Sequence, residues 1–138
     1  MTNGSNDFGV TFPQIQFVLR LLSSHKAVER VERSKDIQLD IVTNQGDNLR
    51  LVCVNEYTCG LTRVLEVLEG FPGTNIVYVG GAWNGYTMQA KKYCIDQSVG
   101  LFNSSEINGA LFREDYWRYH KRDREGNPVY STRNSRDS

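Results

Sequence analysis

The sequence contains no hydrophobic run near the roughly 18 residues that cross a bilayer, so no transmembrane helix and no membrane partner are expected. Its polar opening, MTNGSND, lacks the apolar core of a signal peptide, and the expected home is intracellular, cytoplasmic or nuclear. Cysteine is scarce and odd in number: Cys53, Cys59 and Cys94 show no C-x-x-C spacing, and only His25 and His120 are present to complete a metal site. This argues against a disulfide framework or a zinc site and for free thiols in a reducing compartment, with Cys53 and Cys94 acting as small buried hydrophobes. Net charge is also missing, because 16 Lys/Arg balance 16 Asp/Glu. The balance hides a split: residues 1–115 carry 10 Lys/Arg against 13 Asp/Glu, or −3, and residues 116–138 carry 6 against 3, or +3.

What is present suits one globular domain. With 138 residues, 39% hydrophobic and 23% charged, the chain is long enough for a single core and too short for two. Thr11 and Pro13 mark a helix start, and Ile15, Val18, Leu21 and Leu22 recur at helical spacing, with Phe17 expected to widen the buried face. The alternation in AVERVE, and of Ile37, Leu39 and Ile41 with polar residues, predicts two strands; NQGDN at 44–48 is a turn into a third, Leu49–Val54. A helix over LTRVLEVL buries Leu61, Val64, Leu65 and Leu68 and stops at Gly70-Phe-Pro72, before a doubly buried strand, NIVYV. Thr87 caps a helix that points Ala90, Cys94 and Ile95 inward and Lys91 and Lys92 outward. A short strand, VGLF, is followed by a last helix capped by Ser104 or Ser105 and running on to Tyr119. The expectation is an α/β domain over residues 8–119, a mixed sheet of about five strands flanked by helices, followed by a basic disordered tail over residues 120–138.

This order of elements resembles the restriction-endonuclease-like superfamily, in particular its Mrr-like branch, over residues about 10–113. LDIV at 39–42 is similar to the family's Asp-bearing strand, LVCVNEYTCG at 51–60 to its Glu-x-Lys strand and following turn, and VGGAWNGYTMQAKKYCIDQSVGLFNSSEINGALF to its later strand-helix part. The resemblance implies that Asp40 stands at the metal-binding aspartate, Cys53 at the acid, Asn55 at the lysine, and Gln14 where some members add a third acid. Enzymes of this kind hold Mg²⁺ or Mn²⁺ between carboxylates to orient water and stabilise phosphate charge, and hard cations want oxygen ligands. Cysteine and asparagine do not supply that chemistry. The resemblance therefore implies a degenerate site, with no catalytic residues and no cofactor. The alternative keeps Asp40 and adds Glu56, one residue after the lysine position, as a metal-dependent nuclease pair. Without that role, Asp40 is expected to pair with Arg50 across the hairpin.

Three other stretches bear on partners. In GGAWNGYT, Gly80-x-x-x-x-Gly85 matches part of a phosphate loop, but Tyr86 stands where the lysine belongs. Trp83 and Tyr86 are the expected partner anchors there, or else core residues. In EDYWRYHKR, Tyr116, Trp117, Arg118, Lys121 and Arg122 combine stacking rings with cations as single-stranded nucleic acid binding does, or else cap the last helix. The expected function is a catalytically inactive nuclease-like subunit that binds a protein partner within a nucleic-acid-processing assembly. Nuclease activity, direct nucleic-acid binding and homodimerisation stay open.

Overall fold

In the computed structural model, which describes residues 8–133 apart from Ala82, the first helix α1 spans Phe12–Ser23. Its start has the physical cause read from the sequence. The Gln14 amide N–H donates to Thr11 Oγ1, the Thr11 amide N–H donates to Gln14 Oε1 at 2.9 Å, and Pro13 occupies the first turn. Ile15, Val18 and Leu22 form the buried stripe. Phe17 does not widen it: it lies about 200° round the axis from Ile15, on the far side of the stripe, and is 49% exposed.

Three strands follow, β1 (Val28–Lys35), β2 (Gln38–Thr43) and β3 (Asn48–Val54), paired antiparallel. Gly46, at φ +89°, allows the tight turn between the last two. The chain continues through β4 (Thr58–Cys59), α2 (Leu61–Gly70), β5 (Ile76–Val79), β6 (Gly85–Tyr86), α3 (Met88–Asp96) and β7 (Gly100–Asn103). One five-stranded sheet runs in the order β1-β2-β3-β5-β7; its first three strands are antiparallel and its last three parallel. Every residue of β5 is buried, as an interior parallel strand between two others requires. Outside this sheet, β4 and β6 form a short parallel pair. The mixed sheet flanked by helices is thus as expected, but three details of burial differ. On α2 the inward residues are Val64 and Val67, while Leu65, about 200° round the helix from Val67, is 42% exposed. On α3, Lys91 is buried beside Ala90 and Cys94 instead of facing out, while Ile95 is only half-buried.

The last helix is also shorter than expected. α4 is a single turn, Ile107–Ala110, and neither Ser104 nor Ser105 caps it: the Ser105 amide and hydroxyl donate instead to Asn103 Oδ1, at 3.0 and 2.8 Å. The chain then turns through a 3₁₀ segment, Tyr116–Arg118, and the Tyr119 ring lies against Gly109, where a Cβ would collide with it. Beyond it the expectation of a disordered tail fails for residues 121–133. β8 (Lys121–Arg122) and β9 (Pro128–Val129) pair as a hairpin, and Tyr86 is bridged in parallel to Thr132. Local chemistry makes the turn. Asp123 Oδ1 accepts from the amides of Glu125 and Asn127, both at 2.9 Å, and Gly126 takes φ +84°. Residues 134–138 of the expected tail lie outside the described residues.

Candidate interaction site

The positions matched to a nuclease centre do not converge. Asp40 on β2 is the direct partner of Arg50 on β3, so its side chain shares a face with Arg50, Val52 and Val54. Cys53 alternates to the opposite face, where it pairs with Tyr78. Asn55 lies five residues beyond Arg50, roughly 16 Å along extended chain. The Asn55 amide donates to the Gly9 carbonyl at 3.0 Å and its oxygen accepts from Asn84 at 2.9 Å, while Gln14 is held in its cap. Glu56, one residue on and past the end of β3, accepts from Arg63 Nε at 2.9 Å. Asp40 accepts from Arg50 Nε at 3.0 Å. Partial burial pushes the Asp40 carboxyl up, but hydrogen bonds from Ser34 and Arg50 and the Arg50 charge outweigh this and hold it below the usual range. The two acids are each committed to an arginine at separate places. Cys53, Cys59 and Cys94 are all free and buried, and burial pushes each thiol up to about 12, so they are inert apolar packing.

Both side chains of the Asp40–Arg50 pair are more than a third exposed. Asp40→Ala is therefore expected to lower stability by no more than about 1 kcal/mol in urea unfolding. A loss of several kcal/mol would mean that the pair, or something it holds, matters more than its exposure allows.

Around Trp83, residues 80, 81 and 83–85 are anchored more firmly than the glycines suggest. Asn84 Nδ2 donates to the Gly80 carbonyl at 2.5 Å and to Asn55 Oδ1 at 2.9 Å, and the Gly85 amide donates to the Tyr57 carbonyl at 2.9 Å. Arg133 Nε donates to the Trp83 carbonyl at 3.2 Å, and its guanidinium lies 5.8 Å from the centre of the Tyr57 ring. The Trp83 side chain is 76% exposed, and Tyr57, whose ring the same Arg133 reaches, is 59% exposed. An apolar cleft lined by Pro13, Gln14, Phe17, Tyr78, Gly80 and Gly81 borders the same loop. Gly85 belongs to a strand, so the partial phosphate-loop spacing does not form a phosphate cradle.

Tyr86, expected beside Trp83 as an anchor, is instead completely buried. The reason is a polar cluster that sequence reasoning missed. The Tyr86 hydroxyl donates to Glu106 Oε2 at 2.6 Å, and Glu106 Oε1 accepts from the Asn103 amide at 3.1 Å. The Ser131 amide donates to the Tyr86 hydroxyl at 3.0 Å and to Glu106 Oε2 at 3.3 Å. Lys91 Nζ donates to the Leu101 carbonyl of β7, an edge strand of the sheet, at 2.6 Å. It lies 4.2, 5.3 and 5.7 Å from the ring centres of Phe102, Tyr86 and Tyr130. Burial pulls the Lys91 ammonium down to about 8, against the Glu106 charge, which raises it. The Tyr86 hydroxyl is pushed well above its ordinary value by burial, the Glu106 charge and the hydrogen bond to it.

The 116–122 segment divides. Tyr116 is buried, and Trp117, half-buried, packs against it with the two rings at 90° and their centres 5.2 Å apart, so Tyr116 is not offered as an exposed stacking ring. Arg118, Lys121 and Arg122 stay exposed. The helix before them, α4, is the single turn Ile107–Ala110 and does not run on to these cations.

Set against family models, curated proteins and solved structures, the chain finds no match.

Proposed function

We propose that this chain is a catalytically inactive, nuclease-like domain that binds a protein partner through the loop bearing Trp83. The observation that carries this reading is a large exposed aromatic whose own carbonyl is held by Arg133 and whose neighbours Gly80 and Gly85 are held at the backbone by the Asn84 side chain and the Tyr57 carbonyl. Binding then costs little ordering of the loop, and a rigid Trp with a neighbouring Tyr is the kind of anchor that dominates interface energy. The apolar cleft beside it supplies a recess for the partner's own apolar side chain. Two further features support a nuclease-like frame without catalysis: the sheet is mixed, five-stranded and flanked by helices, and Asp40 and Glu56 are each paired with a separate arginine. The exposed cations after Trp117 add a place for acidic groups in an assembly that handles nucleic acid.

The test is co-purification of the tagged chain from its native cells after nuclease treatment. The wild-type chain is expected to retain a near-equimolar protein and Trp83→Ala to lose it, with unchanged thermal unfolding. A chain that comes out alone, or a partner that ignores Trp83→Ala, would overturn the assignment of this surface. Metal-dependent cleavage abolished by Asp40→Ala would overturn the non-catalytic reading.

A further inference from the structure

Residues 130–133 are recognised by the rest of the chain along their full length. The Tyr86 amide donates to the Ser131 carbonyl at 3.2 Å, and the Arg133 amide donates to the Tyr86 carbonyl at 2.7 Å, which is a parallel strand contact on β6. Any side chain at Gly85 would overlap the Ser131 carbonyl, so this position admits the passing backbone only as glycine. Ser131 reaches the buried Glu106, the Tyr130 ring forms one wall around Lys91, and Arg133 spans Trp83 and Tyr57. The tether to this segment is different in kind. Residues 121–129 are all exposed, and their hairpin is a two-stranded sheet paired only with itself. The contacts that hold the segment do not depend on which chain supplies it; the exposed tether alone links it to its own body.

We propose that β6 and the Glu106–Lys91 cluster form an acceptor site for an extended Tyr-Ser-Thr-Arg segment. In this structure residues 130–133 fill the site from the same chain. The other occupant is the same segment of a second copy, each chain donating its C-terminal strand to its partner. Exchange of identical elements through an exposed hinge is a low-cost route to a closed two-fold dimer. The hinge keeps the local concentration of the chain's own segment high, so the monomer dominates until that segment is weakened.

Complementary variants of the full chain test this. Ser131→Pro removes the amide that reaches Tyr86 and Glu106 and leaves the acceptor intact. Gly85→Val blocks the acceptor and leaves a sound segment to donate. Native mass spectrometry is expected to show each alone as a monomer and the mixture as a 1:1 heterodimer. A fluorescent peptide of residues 127–133 is expected to bind Ser131→Pro about tenfold or more tighter than wild type, because the competing segment no longer occupies the site. Arg133→Pro, which removes the second strand contact, repeats the peptide test should Ser131→Pro lose its folded circular dichroism spectrum. Wild type at millimolar peptide, in direct competition, repeats it without any substitution. A mixture that stays monomeric overturns the exchange. No peptide binding to either proline variant or to wild type overturns the acceptor site itself.

Discussion

Glu106→Ala is expected to destabilise the protein by about 3–5 kcal/mol, the range for removing one member of a buried charged network. The carboxylate accepts from the Tyr86 hydroxyl, the Asn103 amide and the Ser131 amide, and its charge faces the buried Lys91 ammonium. Truncation takes the acceptor from the buried Tyr86 hydroxyl and the Asn103 amide, leaves the Ser131 amide only the Tyr86 hydroxyl, and strips the buried Lys91 of its counter-charge. Urea unfolding followed by circular dichroism measures the loss. A second substitution separates the network from simple packing. If the charges work together, Lys91→Met combined with Glu106→Gln should cost clearly less than the two single changes added, because neither charge is then left alone. Additive losses, or a Glu106→Ala effect below about 1 kcal/mol, would show that the carboxylate is not what holds Tyr86 and the C-terminal segment in place.

Elements whose cause is local were readable in the sequence. Thr11, Pro13 and Gln14 define the start of α1 by bonds among neighbours, and Thr87 caps α3 by accepting from the Ala90 amide at 3.1 Å. The buried β5 and the turn at Gly46 follow from composition and turn chemistry in the same way. What depends on register was not readable. Matching Asp40, Cys53 and Asn55 to one site needs them on one face, yet alternation along β3 sends Cys53 to the side opposite Arg50 and its partner Asp40. Only the pairing of Asp40 with Arg50 was foreseeable, because it crosses a single short hairpin. Lys91 illustrates a second limit. Beside Lys92 on an amphipathic helix it reads as solvent-facing, and its burial requires Glu106 fifteen residues later and Tyr130 beyond that. The polar composition of residues 121–133 likewise hid that Ser131 and Arg133 have acceptors waiting on β6 and its loop.

Alkaline titration should give a stability maximum near pH 9, with the two sides set by different groups. Lys91 has its pKa pulled from 10.5 to about 8 by burial. Below pH 8 folded and unfolded chains both carry that proton; between about 8 and 10.5 the unfolded chain binds more, so stability rises with pH. The three buried thiols act in the opposite sense. Burial raises each from 9.0 to about 12, so above pH 9 the unfolded chain loses protons that the folded chain keeps, and the stability they contribute below pH 9 is lost. Each group changes stability by at most about 1.4 kcal/mol per pH unit, so one lysine rising against three thiols falling gives a gentle climb to pH 9 and a steep descent beyond it. Tyr78 and Tyr86, both pushed above their ordinary value mainly by burial, deepen the descent above pH 10. Denaturant midpoints taken from pH 7 to 10.5 under reducing conditions measure both limbs. Lys91→Met should flatten the rise and leave the fall, whereas replacing Cys53 with Ala should leave the rise and make the fall shallower by about a third of the thiol slope. A midpoint that falls steadily from pH 7, or a rise that persists in Lys91→Met, would show that Lys91 is not the group setting the neutral side of the maximum.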